Sequence, residues 1–212
     1  MVVSLFLYGL IVVALLIAEL REDRRAQFFF KPLAAFGFVV LALQFGAFES
    51  LYGKFILGGL IACAAGDVFL LSRKSQGLFI SGMVAFAAGH IIFSFGFMKH
   101  GFEYDAAMNG KSIFGMAIIL GMLCLVGAVY IIPRAAREMR IPIIIYSIII
   151  TTMCVLAVLT DNIIIIIAAL AFATSDYFVG TDRFLDPKKY WSLLITPLYF
   201  GAQALFALSV SI

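Results

Sequence analysis

Two aspartates inside long apolar segments are the residues of this chain best suited to chemistry. Asp67 and Asp176 each follow a run of small residues, Ala-Ala-Gly at 64–66 and Ala-Thr-Ser at 173–175. An ionisable side chain within an apolar membrane segment is costly and usually marks a functional site. Two carboxyl groups close together in a poorly solvated pocket cannot easily both ionise, so the pair would combine an acid with a base. The predicted chemistry is proton transfer.

Basic residues near the aspartates provide a structural alternative. Each carboxylate could cap a backbone group or pair with Lys31, Arg73 or Arg183. Lys31 could also neutralise a lipid phosphate, or simply extend its ammonium to the membrane interface. We favour the functional interpretation of the aspartates because intramembrane ionisable residues usually serve function.

Polar side chains on two other predicted helices are candidates to support the same site. His90 lies well inside its helix, where it is either a hydrogen-bonded core residue or part of the site. Tyr199 and Gln203 form a polar stripe with Ser192 and Thr196. Such a stripe must face protein or water, either as interhelical contacts or as the lining of a cleft.

The composition is that of a membrane protein. Of 212 residues, 64% are hydrophobic and 13% are charged, whereas soluble domains are about 45–50% apolar. The first apolar run is followed, not preceded, by its basic cluster, so we expect a permanent span and not a signal peptide. The sequence predicts one transmembrane helical domain over residues 1–212, in an integral multi-pass protein.

Breaks at charged and Gly/Pro clusters divide the chain into eight predicted helices. Their approximate ranges are 2–20, 30–48, 54–72, 77–98, 112–132, 141–159, 162–180 and 191–211. Each is long enough to cross a hydrocarbon core of about 30 Å. The division at Asp161 rests on length and on the fit of Asp-Asn to a tight turn. The fold class is therefore an all-α bundle of about eight transmembrane helices, with seven or nine as alternatives.

The basic residues also predict an orientation. Twelve of the fifteen Lys and Arg residues fall at the odd-numbered connections, and positively charged loops stay in the cytoplasm. Both termini should then lie on the non-cytoplasmic side. Asp67 and Asp176 would lie at matching depths, roughly 9 to 10 Å inside the cytoplasmic boundary, in a funnel open to the cytosolic leaflet.

Two landmarks suggest an internal repeat. Asp67 and Asp176 are 109 residues apart, and Pro32 and Pro142, which each enter a predicted helix, are 110 apart. A parallel repeat of four helices each would place both aspartates symmetrically at one cleft. Against the repeat, His90 corresponds at that offset to Tyr199 and not to a histidine.

Several other features are structural or exclude classes of site. The third and fourth predicted helices each have a face of small residues and should pack closely. These residues are Gly59, Ala62, Cys63 and Gly66 on one helix and Gly82, Ala85 and Gly89 on the other.

The three cysteines lack metal-ligand spacing, and two histidines cannot build a three-histidine zinc site, so no metal is expected. The net charge of +3 is spread along loops, which indicates membrane orientation and excludes nucleic acid as a partner.

Five short motifs occur in order along the chain: Phe-Lys-Pro-Leu at 30–33, Gly-Asp at 66–67, Gly-His at 89–90, Ser-Asp at 175–176 and Tyr-Phe-Gly-Ala-Gln at 199–203. This ordered set resembles the YhhN family, which includes the lysoplasmalogenases. The resemblance covers essentially the whole chain in order. Each motif is short, and the ordered set carries the specificity.

The resemblance implies an eight-helix membrane enzyme that hydrolyses the vinyl ether bond of a lysoplasmalogen, either lysoplasmenyl-ethanolamine or lysoplasmenyl-choline. The products would be a fatty aldehyde and a glycerophospho-alcohol. The paired aspartates of the family correspond to Asp67 and Asp176. Supporting pocket residues would be Lys31, His90, Tyr199 and Gln203, and Arg73 and Arg183 would lie at a rim that accepts the phosphate.

The acid and base expected of the aspartates suit that reaction. Protonation of the vinyl ether carbon followed by addition of water requires an acid and a base, with no metal or organic cofactor. The sequence leaves open which aspartate is the acid, the headgroup preference and the oligomeric state.

A small proton-coupled transporter that uses the same aspartates is the alternative function. The two functions differ in whether purified protein turns a substrate over in detergent. Short loops suggest a bacterial chain, and a helical protein would then lie in the inner membrane.

Overall fold

The computed structural model describes residues 2–72, 75–100 and 129–211, apart from the side chain of Lys189, and these residues form helices joined by short turns. The long helices are α1 (Val2–Leu20), α2 (Arg24–Gln44), α3 (Leu51–Phe69), α4 (Gln76–His100), α5 (Arg137–Leu159), α6 (Ile163–Phe184) and α7 (Ser192–Leu208). Short 3-10 helices span Ile132–Arg134, Lys189–Trp191 and Ser209–Ser211. Within these described ranges, seven helices are long and apolar enough to cross a membrane. The chain is a multi-pass membrane protein whose described part is helical throughout, apart from turns.

Seven of the eight predicted helices are present, and the predicted fifth, 112–132, lies largely outside the described residues. The division between the predicted sixth and seventh helices is confirmed. Asp161 adopts a left-handed conformation with φ 51°. The Asn162 side chain then accepts hydrogen bonds from the backbone N–H groups of Ile164 and Ile165 and caps α6. A tight turn therefore separates two spans.

Helix α2 begins six residues before its predicted start. Asp23 caps it, because Oδ1 accepts from the N–H groups of Arg25 and Ala26 at 3.0 and 3.1 Å. The expectation that Pro32 enters this helix at its start was wrong, because Pro32 and the preceding Lys31 both lie inside it. Pro142 likewise lies inside α5. Proline within a membrane helix is tolerated because neighbouring groups satisfy the freed backbone. Because α2 starts earlier than predicted, the helix continues on the N-terminal side of Lys31.

Helices α3 and α4 pack at close range through their small residues, as predicted. A β-carbon on Gly59 would lie 2.4 Å from the Phe93 ring, and one on Gly66 would lie 2.8 Å from the Phe86 ring. A β-carbon on Gly89 would meet the Cys63 Sγ at 2.7 Å. Small residues let two helix backbones approach closely in a membrane, so this pair fixes the scaffold that carries Asp67.

Gly89→Ala is expected to destabilise the protein by about 1–3 kcal/mol, the usual cost of overpacking a well-packed interior. The added methyl would also approach the carbonyl oxygen of Gly59 to 3.1 Å, and backbone cannot move aside as a side chain can. Thermal unfolding in detergent measures the effect. Gly201→Ala is the matched control, because a β-carbon there meets nothing within 4 Å. Equal stability of the two variants would contradict the close packing.

Six of the helix pairs in contact are related to one another as a four-plus-four repeat would relate them. Helix α3 packs on α4 and α6 packs on α7; α2 packs on α3 and α5 packs on α6. In addition, α2 packs on α7 and α4 packs on α5. Exchanging α2, α3 and α4 with α5, α6 and α7 preserves all these pairs. The repeat and the orientation of the termini stay predictions.

Aromatic side chains fill the bundle at the end opposite to Asp67. The ring of Phe206 lies 4.5 Å from that of Phe93 and 5.9 Å from that of Phe97, between centroids. Beyond them, the hydroxyl groups of Tyr52 and Ser209 share a hydrogen bond of 2.6 Å. Aromatic contacts and this hydrogen bond thus join the helices at one end, and a cavity lies around the aspartates.

Candidate active site

A cavity of about 630 Å³ contains both predicted aspartates. Side chains of α2 to α7 and of residues 130–131 line it, and most are apolar, including Leu70, Met83, Phe86, Ile143, Ile150 and Leu170. The volume falls in the range of about 300–1,000 Å³ that is typical of small-molecule sites. Apolar walls with a few convergent polar groups describe a site that could hold an amphiphile.

Asp67 projects from the last turn of α3 and is 1% exposed. Its Oδ2 accepts a hydrogen bond of 2.5 Å from the hydroxyl of Tyr199 on α7. Its Oδ1 lies 3.4 Å from the Nζ of Lys31 on α2. A buried charge is tolerated when it is paired and hydrogen-bonded. Both carboxylate oxygens of Asp67 therefore have a partner: the partner of Oδ2 is a phenol and the partner of Oδ1 is a cation.

Asp176 lies on α6 and is half-buried, facing the same cavity. Its Oδ2 accepts a hydrogen bond from the hydroxyl of Tyr146 on α5. The preceding residue, Ser175, donates to the carbonyl of Ile195 at 3.2 Å and ties α6 to α7. Asp67 has an ion pair with Lys31, whereas the hydrogen-bond partner of Asp176 is a phenol. The two carboxyl groups therefore differ in electrostatic environment.

The Tyr199 side chain, which contacts Asp67, is held by ring packing. The Tyr199 ring meets those of Phe86, Phe172 and Phe200 at centroid distances of 5.8, 5.3 and 4.7 Å. Packing on several sides restricts the rotamers of Tyr199. Its hydroxyl is thus a fixed donor to Asp67.

Tyr146 is a site residue that the sequence analysis missed. It stands among isoleucines in α5, and nothing in that pattern distinguishes it from a packing residue. The available signal was indirect, because a carboxyl group in an apolar span needs a donor and a phenol on a neighbouring span can supply it. The sequence does not say which tyrosine does so.

His90 and Gln203 are fully buried, and neither belongs to the cavity lining. The His90 ring packs against Phe172 and Tyr146 at centroid distances of 4.6 and 5.5 Å. Gln203 lies one turn beyond Tyr199 on α7. The predicted pocket residues therefore divide into Lys31 and Tyr199, which reach the cavity, and His90 and Gln203, which lie behind its wall.

Two arginines, Arg73 and Arg183, were predicted at a rim that accepts the phosphate. Arg73 lies outside the described residues. The Arg183 guanidinium lies 4.6 Å from the centroid of the Phe79 ring, and Phe79 lines the cavity. Arg183 is therefore next to the cavity wall without lining it.

A third carboxylate, Glu19, also lies near the site and was missed by the sequence analysis. It is half-buried in the last turn of α1, and its Oε2 accepts a hydrogen bond from the hydroxyl of Thr196 on α7. Glu19 borders a recess of about 20 Å³ whose lining also includes Lys31. In sequence it precedes the charged residues at 21–25, so the pattern indicates an ordinary interfacial side chain.

The side chains that meet at the cavity can exchange protons. Two carboxyl groups, two phenols and one ammonium are the polar groups described above, set in apolar walls. No group of three or more His, Cys, Asp or Glu side chains placed to hold a metal occurs within the part of the chain that the structure describes. The arrangement suits general acid–base chemistry on a largely apolar molecule.

Comparison with known proteins agrees with the motifs. The model of the YhhN family matches residues 26–210. The protein of Bos taurus named lysoplasmalogenase TMEM86A is 29% identical over 166 residues, which are 73% of this chain and 64% of that protein. The chain thus aligns with less than two thirds of the length of this relative. No solved structure matches. Because the family model covers most of the chain, including both aspartates, this protein belongs to the YhhN family.

Proposed function

We propose that this protein hydrolyses the vinyl ether bond of lysoplasmalogens and releases a fatty aldehyde and a glycerophospho-alcohol. The observation that carries the proposal is the pair of aspartates, each hydrogen-bonded to a tyrosine, that faces one apolar cavity. The name of the bovine relative supports the choice of reaction. The proposed location is a bacterial inner membrane.

The cavity fits a lipid with a single chain. Its apolar walls suit an alkenyl tail, and Lys31 provides a cation for the phosphate beside Asp67. The ether bond lies between the tail and the phosphate, so this placement brings the alkenyl carbons to the aspartates. A lysophospholipid in the membrane is therefore the proposed substrate.

The position of Lys31 indicates which aspartate is the acid and which is the base. An adjacent ammonium stabilises a carboxylate anion, and Lys31 lies beside Asp67. Asp176, half-buried and hydrogen-bonded by a neutral phenol, is then the carboxyl group that holds a proton. We assign Asp176 as the acid and Asp67 as the base.

The reaction begins when Asp176 transfers its proton to the alkenyl carbon that is not bonded to oxygen. The electrons of the double bond form the new C–H bond and leave an oxocarbenium cation, which the Asp67 anion stabilises. Water adds to the cationic carbon and gives a proton to Asp67, so a hemiacetal forms. Asp176 then accepts the hemiacetal hydroxyl proton as Asp67 protonates the glycerol oxygen. The C–O bond breaks, the aldehyde leaves, and both aspartates regain their starting states.

Tyr146→Phe is expected to lower kcat about tenfold, because a lost hydrogen bond to the acid leaves its carboxyl group without a fixed orientation. KM should change little, because the hydrogen bond of the Tyr146 hydroxyl is to the acid, Asp176, and not to a group assigned to bind the substrate. Steady-state aldehyde release measures both constants. Tyr190→Phe is the control, because Tyr190 is exposed and outside the cavity. Wild-type kcat in Tyr146→Phe would show that this hydrogen bond does not orient the acid.

The decisive test is the product formed by detergent-purified protein from three lysophospholipids that differ only in their linkage: vinyl ether, saturated ether and ester. The proposal predicts fatty aldehyde from the vinyl ether and no product from the other two. A transporter has no compartments to act across in detergent and would release nothing. Folded protein that forms no aldehyde would reject the hydrolase, and fatty acid from the ester would indicate a different hydrolase.

A further inference from the structure

We propose that the recess between Glu19 and Lys31 binds the primary ammonium of the substrate headgroup, so that ethanolamine lysolipids bind more tightly than choline lysolipids. This inference rests on the proposed function, because it assigns the headgroup end of the same substrate. The recess is lined by Glu19, Gln27, Phe28, Lys31, Leu70 and Leu71.

The recess and the large cavity share two wall residues. Lys31 and Leu70 line both spaces. Lys31 therefore lies between a carboxylate in the cavity, Asp67, and a carboxylate at the recess, Glu19. The charges run from negative to positive to negative across the junction.

That order of charges matches the order of groups along an ethanolamine lysolipid. The ether is followed by the phosphate, and the phosphate is followed two carbons later by the ammonium. With the ether at the aspartates and the phosphate at Lys31, the ammonium points toward Glu19. The phosphate then contacts the Lys31 ammonium, and the substrate ammonium contacts the Glu19 carboxylate.

The side chains that would contact the ammonium are held in place. Glu19 accepts a hydrogen bond from the Thr196 hydroxyl, which joins α1 to α7. Gln27 donates through Nε2 to the carbonyl of Ala18 at 3.2 Å. Its amide oxygen is an acceptor group, and a primary ammonium has three donors to distribute among acceptors. Side chains that are already held before the ligand arrives lower the cost of binding.

The size and chemistry of the recess favour a primary ammonium over choline. Its volume of about 20 Å³ is close to the space needed for one water molecule, which is comparable to an NH₃⁺ group. The trimethylammonium of choline is larger and donates no hydrogen bond. Proteins bind it in cages of several aromatic rings, whereas the described residues that line this recess include a single aromatic ring, that of Phe28. Ethanolamine is therefore the headgroup that fits.

A binding experiment tests the subsite without requiring hydrolysis. Saturated alkyl-ether lysolipids that carry ethanolamine, choline or glycerol headgroups compete with a fluorescent lysolipid for the detergent-purified full chain. Wild type should bind the ethanolamine lipid about tenfold more tightly than the other two. Glu19→Gln should reduce ethanolamine affinity to that of the glycerol lipid and leave choline affinity unchanged.

Glu138→Gln is the matched control, since Glu138 is an exposed carboxylate in the first turn of α5 and lines neither space. It should keep the wild-type preference. Equal binding of the three headgroups by wild type would overturn the proposal. So would an equal loss of affinity for all three in Glu19→Gln, because that result assigns Glu19 a purely structural role between α1 and α7.

The outcome separates the subsite from the proposed function. Aldehyde release without a headgroup preference rejects the subsite and keeps the hydrolase. A headgroup preference that depends on Glu19, in protein that releases no aldehyde, rejects the hydrolase and keeps a lysolipid-binding site. In active protein, Glu19→Gln should raise KM for the ethanolamine substrate about tenfold and leave kcat unchanged.

Discussion

Asp67→Asn and Asp176→Asn are each expected to lower kcat for aldehyde release by about 100- to 10,000-fold, the range that a positioned acid or base contributes. Asparagine preserves the shape of the side chain and can accept the tyrosine hydrogen bond through its amide oxygen. It cannot give a proton to carbon or take one from water. The loss should therefore appear in kcat for the vinyl ether substrate, with the protein still folded.

The double variant should be no less active than the single variants, because groups that act as a unit are not additive. Asp161→Asn is the matched control: this aspartate is exposed in a turn at φ 51°, a conformation that asparagine also adopts. Its kcat should equal that of wild type. An Asp67 or Asp176 variant that retains a third or more of wild-type kcat would exclude that residue as acid or base.

Lys31→Met should lower the free energy of unfolding by about 3 kcal/mol, near the lower end of the usual cost of removing one partner of a buried ion pair. The Lys31 side chain is 21% exposed and that of Asp67 is 2% exposed, so water screens the lysine in part while the carboxylate stays buried. Unfolding in detergent, followed by loss of helical signal, measures the change. Activity should also fall, because the base and the phosphate lose their cation.

A second substitution separates the two roles of this lysine. Adding Asp67→Asn to Lys31→Met removes the unpaired buried charge and should recover most of the lost stability, with no recovery of activity. Lys54→Met, at an exposed lysine of α3, is the control and should change the free energy of unfolding by less than about 0.5 kcal/mol. A double variant that is as unstable as Lys31→Met would show that the ion pair with Asp67 is not the source of the effect.

Hydropathy and turn chemistry were enough to predict most of the fold. Seven spans, the turn at Asp161 and the close approach of α3 and α4 at their glycines follow from local composition. The start of α2 was mispredicted because charged residues at 21–25 mark a membrane boundary by composition, whereas the Asp23 cap starts the helix there. Capping depends on a few backbone hydrogen bonds that hydropathy does not measure.

The site was predictable where charge made a residue conspicuous. Asp67, Asp176 and Lys31 are costly in apolar surroundings, and the structure places all three at one cavity together with Tyr199. Tyr146 and Glu19 were missed for opposite reasons: the tyrosine resembles a packing residue, and the glutamate resembles an interfacial one. Their roles arise from which helices become neighbours. One sequence does not contain that information.

The fate of the water oxygen tests most directly whether hydrolysis proceeds by protonation of the vinyl ether carbon, the step assigned to Asp176. The purified protein hydrolyses the substrate in water enriched in ¹⁸O, and the aldehyde is reduced as it forms. Mass spectrometry then measures the ¹⁸O content of each product. Protonation of carbon and collapse of a hemiacetal predict ¹⁸O in the reduced aldehyde and none in the glycerophospho-alcohol. Label in the glycerophospho-alcohol would show that water had attacked the glycerol carbon, and it would contradict the proposed roles of Asp67 and Asp176.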